Sequence, residues 1–329
     1  MKKIVVIGNS ITGVKALETI RGLDAEGDLT IFALDGFYPY RRDLFADFFL
    51  NKIKESKIFY RQKEFYEQNR INVILERQIA RVNFKKKRIT TEEKDQIDFD
   101  FLVIADTNQM KFPDVKGTGK TGVFALRKLA DLKKMIAILP FVETVVIETN
   151  SPQGLCMADA FKKKGKEVIV IFGMDEPTGT VIAQRLEENG IRVILDNSVA
   201  EILGDAEVKA IRLKSGKVIA GEMVIFTETP PDLRIFADTE LEIDQRILID
   251  SFLQTNIEGV FAFYPVGRFK DDRLNRSDIT SLAQIEEAGK TIAGNIAGQK
   301  LSFPIRQISA ELIDCVQQPN SADFCGIGE

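Results

Sequence analysis

The stretch Ile4-Val5-Val6-Ile7-Gly8-Asn9-Ser10-Ile11-Thr12-Gly13 decides how this chain folds. An apolar run ends at Gly8, a helical pattern through Val14, Leu17 and Ile20 follows at once, and Leu29-Thr30-Ile31-Phe32-Ala33 comes next. Strand, tight glycine turn, helix and strand in this order read as a parallel βαβ unit, because parallel neighbours need a crossover that packs back onto the sheet.

Further along, the chain repeats itself. Thr144 to Glu148 is apolar and β-branched, a helix should start near Pro152, and Val168-Ile169-Val170-Ile171-Phe172 has the pattern of a buried strand. Aligning the turns sets Gly8-Asn9-Ser10-Ile11-Thr12-Gly13 over Thr149-Asn150-Ser151-Pro152-Gln153-Gly154, with the last glycine kept in both. After the first unit come Asn72-Val73-Ile74-Leu75, a meander-like stretch around residues 80–90, and Phe101-Leu102-Val103-Ile104-Ala105. After the second come Arg192-Val193-Ile194-Leu195, short strands through 208–219, and Val224-Ile225-Phe226. The fold class is therefore α/β: two Rossmann-like three-layer nucleotide-binding domains. Strands at 247–250 and 260–263 and a helix from about Ser277 to Ala297 have no counterpart in the second unit, so they are assigned to the first domain. The second domain is then inserted into the first. The expected boundaries are 1–115 with 243–300, 116–242, and a tail at 301–329.

Composition removes several function classes. There is no histidine, so Ser-His-Asp and Cys-His nucleophiles, HExxH zinc sites and imidazole acid–base chemistry are all excluded. Flavin chemistry is untouched by this, since there the cofactor supplies the reactive atom and the protein binds and orients it. A net charge of −4 gives no field for nucleic acid, and Lys85-Lys86-Lys87-Arg88 and Lys162-Lys163-Lys164 read as solvated surface. Cys156, Cys315 and Cys325 show no CxxC spacing and read as free thiols, and no metal site is expected. No apolar run spans a bilayer and Met1-Lys2-Lys3 opens no signal peptide, so a cytoplasmic protein without membrane partners is expected.

Residues 4–10, Tyr38-Pro39-Tyr40-Arg41-Arg42-Asp43-Leu44, Arg61-Gln62-Lys63-Glu64-Phe65-Tyr66 and 247–262, in this order, resemble the pyridine nucleotide-disulfide oxidoreductase superfamily. The nearest branch is that of the FAD domain of nitrite reductase large subunits and rubredoxin reductase-like proteins. The resemblance implies an FAD-dependent oxidoreductase that exchanges electrons with NAD(P)H and with a protein partner or complex subunit. It also implies a homo-oligomer, although the tail after Leu301 is shorter than the interface domain such reductases carry. Carried over position by position, it puts the FAD diphosphate at Gly8, Ser10 and Gly13, the ribose hydroxyls at Asp35 after a one-residue shift, and the flavin near Arg42. No catalytic side chain is assigned.

Several positions depart from the family pattern. Ser10 replaces the middle glycine, and Leu34 stands where the ribose acid is expected. The Ala-Thr-Gly turn reads Ala105-Asp106-Thr107, and the Gly-Asp pair near the flavin reads Tyr264-Pro265. In the second half Thr149 and Ser151 replace glycines, Pro152 adds constraint, Phe172 replaces the acid, and the turn after the last strand is Thr227-Glu228-Thr229. A diphosphate should fit that second turn poorly, because glycine is what permits positive φ and close backbone approach there. FAD binding with impaired NAD(P)H binding is one reading. The alternative is a non-catalytic structural or regulatory subunit, since the substitutions cluster on cofactor-facing turns while the cores keep ordinary apolar patterning.

Overall fold

The computed structural model describes residues 2–107, 112–173, 178–227, 230–271 and 282–304. The elements that position the two turns are, in chain order, β1 (Lys3–Ile7), α1 (Ile11–Leu23), β2 (Asp28–Ala33), β3 (Ile71–Leu75), β4 (Phe101–Ile104), β5 (Val123–Ala125) and β6 (Thr144–Glu148). They continue with α2 (Pro152–Lys163), β7 (Glu167–Phe172), β8 (Arg192–Leu195), β9 (Met223–Phe226), β10 (Val260–Ala262) and α3 (Leu282–Ile296). The described residues fall into two compact units: 2–41, 59–107, 230–271 and 282–304 in one, and 42–58, 112–173, 178–227 in the other.

In unit 1 a five-stranded parallel sheet runs in the order β10-β4-β1-β2-β3. Its central strand is buried from Ile4 to Ile7, which is why it reads as a continuous apolar run and not as an alternation. Helix α1 follows because Ser10 caps it in an extended conformation and because Val14, Leu17 and Ile20 share one face. Burying each of these side chains stabilises the unit by roughly 1.5–3 kcal/mol. Arg21 closes the other end of α1, donating to the carbonyls of Asp24, Ala25 and Asn69. Strands at Ile79–Asn83, Arg88–Thr91 and Gln96–Asp98 form a small antiparallel sheet whose Val82 and Ile89 join the same core. Helix α3 packs on α1. Its expected start near Ser277 lies outside the described residues, which resume at Leu282.

Unit 2 repeats the plan with β8-β7-β6-β9-β5, again parallel throughout. Its antiparallel sheet, Val199–Leu203, Ala210–Leu213 and Val218–Ala220, carries a register shift at Val199/Glu201 that matches the shift at Ile79/Arg81 in unit 1. The repeat thus extends to the bulge, a feature with no strong signature in residue type. On the helix side, Phe161 of α2 is fully buried, its ring centroid 4.5 Å from that of Phe49.

Candidate functional site

The first turn brings Gly8, Ser10 and Gly13 together at the N-terminus of α1. Gly8 has φ +106°, and a Cβ there would run into the backbone of Asp106. Gly13 lets α1 approach β1, since a Cβ at this position would overlap Val6 Cγ1. Both glycines are therefore required by packing alone. Ser10 Oγ accepts from Thr12 N at 3.2 Å and so satisfies one of the N–H groups left open by the first helical turn. Ile11, at the first helical position, carries a backbone N–H where Pro152 at the start of α2 has none.

Asp35 joins this turn through residues that reading the family pattern missed. Leu34, at the position of the expected ribose acid, is buried, and Asp35 follows it just past the end of β2. Asn9 Nδ2 donates to Asp35 Oδ1 and, at 2.8 Å, to the carbonyl of Phe37. Two acceptors on this side settle which way the amide faces, and they leave Asn9 Oδ1 buried with no hydrogen-bond partner among the described residues. Tyr40 donates its hydroxyl to Asp35 Oδ2 at 2.6 Å, and Phe37 N donates to Oδ1 at 3.2 Å. Both carboxylate oxygens are thus engaged from within the protein. The one available signal was the repeat itself: Asn9 aligns with Asn150, which likewise ties its turn to the end of the neighbouring strand by accepting from Gly173 N at 2.8 Å.

The second turn is built of hydroxyls. Thr149 is almost wholly buried and its Oγ1 accepts from Ser151 N at 3.1 Å and from Thr227 Oγ1 at 2.7 Å. Ser151 caps α2 by accepting from Gly154 N at 3.3 Å. Pro152 sits in the first turn of that helix, where its fixed φ suits the geometry and where it carries no N–H. Gly154 is kept for a reason different from that of Gly13: a Cβ on it would lie 2.5 Å from Thr149 Cβ, so the threonine side chain fills the space the glycine leaves.

The remaining expected positions are divided between the two units. Arg42 belongs to unit 2, whereas the other four belong to unit 1, and its carbonyl accepts from Gln153 Nε2 at 3.3 Å. Asp106 and Thr107 are buried beside Gly8. The ring of Tyr264 packs on the unit 1 core with the Arg246 guanidinium 5.6 Å from its centroid, and Tyr264-Pro265 is a cis peptide. Phe172 is fully buried at the end of β7, which explains an apolar residue where an acid was expected. Glu228 and Thr229, like Cys315, Cys325 and the tail from residue 305 on, lie outside the described residues. Cys156 is disulfide-bonded, which corrects the expectation of a free thiol at this position. Among the described residues no cluster of metal-ligating side chains occurs, and no helix is long and apolar enough to cross a membrane.

Unit 1 also carries an ionic and aromatic cluster on the outer side of α1. Arg61 reaches Glu18 Oε1 at 3.0 Å and lies over the rings of Tyr60 and Phe65, while Lys15 meets Glu18 at 3.1 Å. Burial pushes the Glu18 carboxyl up, but hydrogen bonds from Lys15 and Arg61 together hold it below the usual carboxylate value. Burial, reinforced by its hydrogen bond to Glu286 on α3, raises the Tyr60 hydroxyl, and burial raises that of Tyr66.

Known proteins are similar to this chain in sequence and in fold. The chain is 24% identical over 307 residues to an NAD(P)H nitrite reductase of Bacillus subtilis, covering 90% of this chain but only 38% of that protein. It is 25% identical over 270 residues to a rubredoxin-NAD(+) reductase of Ectopseudomonas oleovorans, covering 79% of this chain and 70% of the relative. Among solved structures, the ferredoxin reductase for the CYP199A2 system of Rhodopseudomonas palustris superimposes with a TM-score of 0.81 at 18% identity, over 93% of this chain and 79% of its own. The sequence pattern of one family covers residues 2–263. Given that coverage, and two parallel-sheet units with the turn, crossover and meander each in place, the chain belongs to the pyridine nucleotide-disulphide oxidoreductase family.

Proposed function

We propose that this chain is an FAD-binding electron-transfer protein in which unit 1 holds the flavin nucleotide and unit 2 takes no pyridine nucleotide. The observation that carries the reading is the unequal supply of backbone donors at the two helix N-termini. At the first turn, glycine at position 8 brings no side chain and Ile11 presents an N–H. At the second, Pro152 has no N–H, and those of Ser151 and Gly154 already donate to hydroxyls of the turn. A diphosphate bound at a helix N-terminus needs these donors. Gly8, Ser10 and Gly13 then hold the FAD diphosphate, Asp35 the ribose, and Arg42 is the residue the family pattern assigns to the flavin. Bound FAD would supply the electron-accepting ring. The protein around it binds, orients and excludes water.

Electrons then pass to and from protein carriers, of the kind named in the rubredoxin and ferredoxin reductases it resembles. The test is to purify the full chain, reconstitute it with FAD, and follow the visible flavin absorption anaerobically. Stoichiometric flavin that dithionite bleaches and NADH leaves untouched is the expected result. Bleaching by NADH ends the second half of the proposal.

A second reading, a flavin-free structural subunit, is favoured by one specific arrangement. Both Asp35 oxygens are engaged by Asn9, Phe37 and Tyr40, and Gly8 and Gly13 have packing reasons of their own. Failure to take up FAD, together with a stable protein partner on purification, selects it.

A further inference from the structure

We propose that Thr149 is the specificity-determining residue of unit 2: its side chain, held by Ser151 and Thr227, stands in for a nucleotide diphosphate and keeps pyridine nucleotides out. This deepens the reading above and rests on it.

The argument begins with hydrogen-bond supply. A diphosphate at the start of α2 needs backbone N–H groups. Ser151 N donates to Thr149 Oγ1 at 3.1 Å, Gly154 N donates to Ser151 Oγ at 3.3 Å, and position 152 is proline. Thr149 Oγ1 also accepts from Thr227 Oγ1 at 2.7 Å, so the plug is anchored on the strand that follows, at the end of β9. Its own proton is placed to reach Ser151 O at 3.4 Å or Ser151 Oγ at 3.3 Å. Donors and acceptors in this cluster satisfy one another, which is what a buried polar group requires if it is not to cost about 1–3 kcal/mol.

Shape points the same way. The space above Gly154, which a missing side chain leaves open, is filled by Thr149, and the turn stays out of the positive-φ conformation that Gly8 adopts in unit 1. An incoming diphosphate must displace a buried side chain and break three hydrogen bonds. No lysine or arginine stands in residues 149–154 to receive its charge. Thr149 Oγ1 is hydrogen-bonded to both Ser151 and Thr227, and its side chain is the one that fills the space above Gly154, so its removal should open the turn.

Isothermal titration of the full chain with NADH tests this directly. Wild type should show no binding in the millimolar range. Thr149→Gly should bind, with affinity gained by at least about tenfold, and Thr149→Ser, which keeps the hydroxyl, should stay closed. Thr149→Ala keeps a Cβ against Gly154 and removes the hydroxyl. It should bind to an intermediate degree, and it provides the reading if the glycine variant does not fold. A folded Thr149→Gly or Thr149→Ala protein that still refuses NADH overturns the assignment to Thr149 and leaves the closed second unit standing. Wild-type protein that binds NADH as tightly as the variants overturns both.

Discussion

Tyr40 donates its hydroxyl proton to Asp35 Oδ2 at 2.6 Å from a ring that is 1% exposed, and this bond holds the loop after β2 in place. A buried bond to a carboxylate contributes about 1.5–3 kcal/mol. Tyr40→Phe should therefore lower stability by about 2 kcal/mol in urea unfolding. A change below about 0.5 kcal/mol would mean that solvent or Asn9 compensates fully.

If Asp35 also receives the ribose of FAD, its removal should be felt in binding as well as in stability. Asp35→Ala is expected to weaken FAD about tenfold or more in a fluorescence titration. Tyr40→Phe leaves the carboxylate present and should weaken FAD far less. Equal losses in the two variants would show that loop order, not the carboxylate, is what FAD senses.

The close approach at Gly13 predicts a coupled pair. Gly13→Ala alone should destabilise by about 1–3 kcal/mol, since the added methyl overlaps Val6 Cγ1. Combined with Val6→Ala it should cost less than the sum of the two single changes, a departure from additivity that a double-mutant cycle measures. Gly8→Ala has no such rescue, because its neighbour is the Asp106 backbone and its φ is positive.

Glu18 should make the unit acid-sensitive. Its carboxyl is held below the usual value in the folded protein, so its contribution is present above the unfolded value of about 4.3 and is lost as pH falls through the folded one. Wild type should be more stable than Glu18→Gln at neutral pH by about 0.5 kcal/mol, a small difference because the pair is partly solvated. The two should converge at strongly acidic pH. Thermal unfolding from neutral to acidic pH checks it, and parallel curves throughout would remove Glu18 from the account.

Much of the architecture was legible before any coordinates. Period and burial are tied together by local geometry, so the apolar runs at 4–7 and 144–148 and the helical stripe through Val14, Leu17 and Ile20 appear in the fold where the pattern placed them. The repeat was legible for the same reason, since an aligned turn needs only the order of residues. Gly8, Ser10, Gly13 and Asp35 could be named as candidates because the family resemblance carries its cofactor positions onto the turn and the residues just past β2, which are local features. What tied Asp35 down was not local. Asn9 is 26 residues away from it in sequence, and Thr227 is 78 residues away from Thr149.

The sequence by itself determined the α/β class, the doubled strand–turn–helix plan, and the loss of glycine from the second turn. Tertiary structure alone decided what each substitution does: that Ser10 and Ser151 act as helix caps, that Gly13 is kept for Val6 but Gly154 for Thr149, and that three hydroxyls close on one another at the second turn. The physical reason is that secondary structure follows from the spacing of residues along the chain. Whether a polar group is free for a ligand depends instead on which distant donors and acceptors the sheet brings within about 3 Å of it.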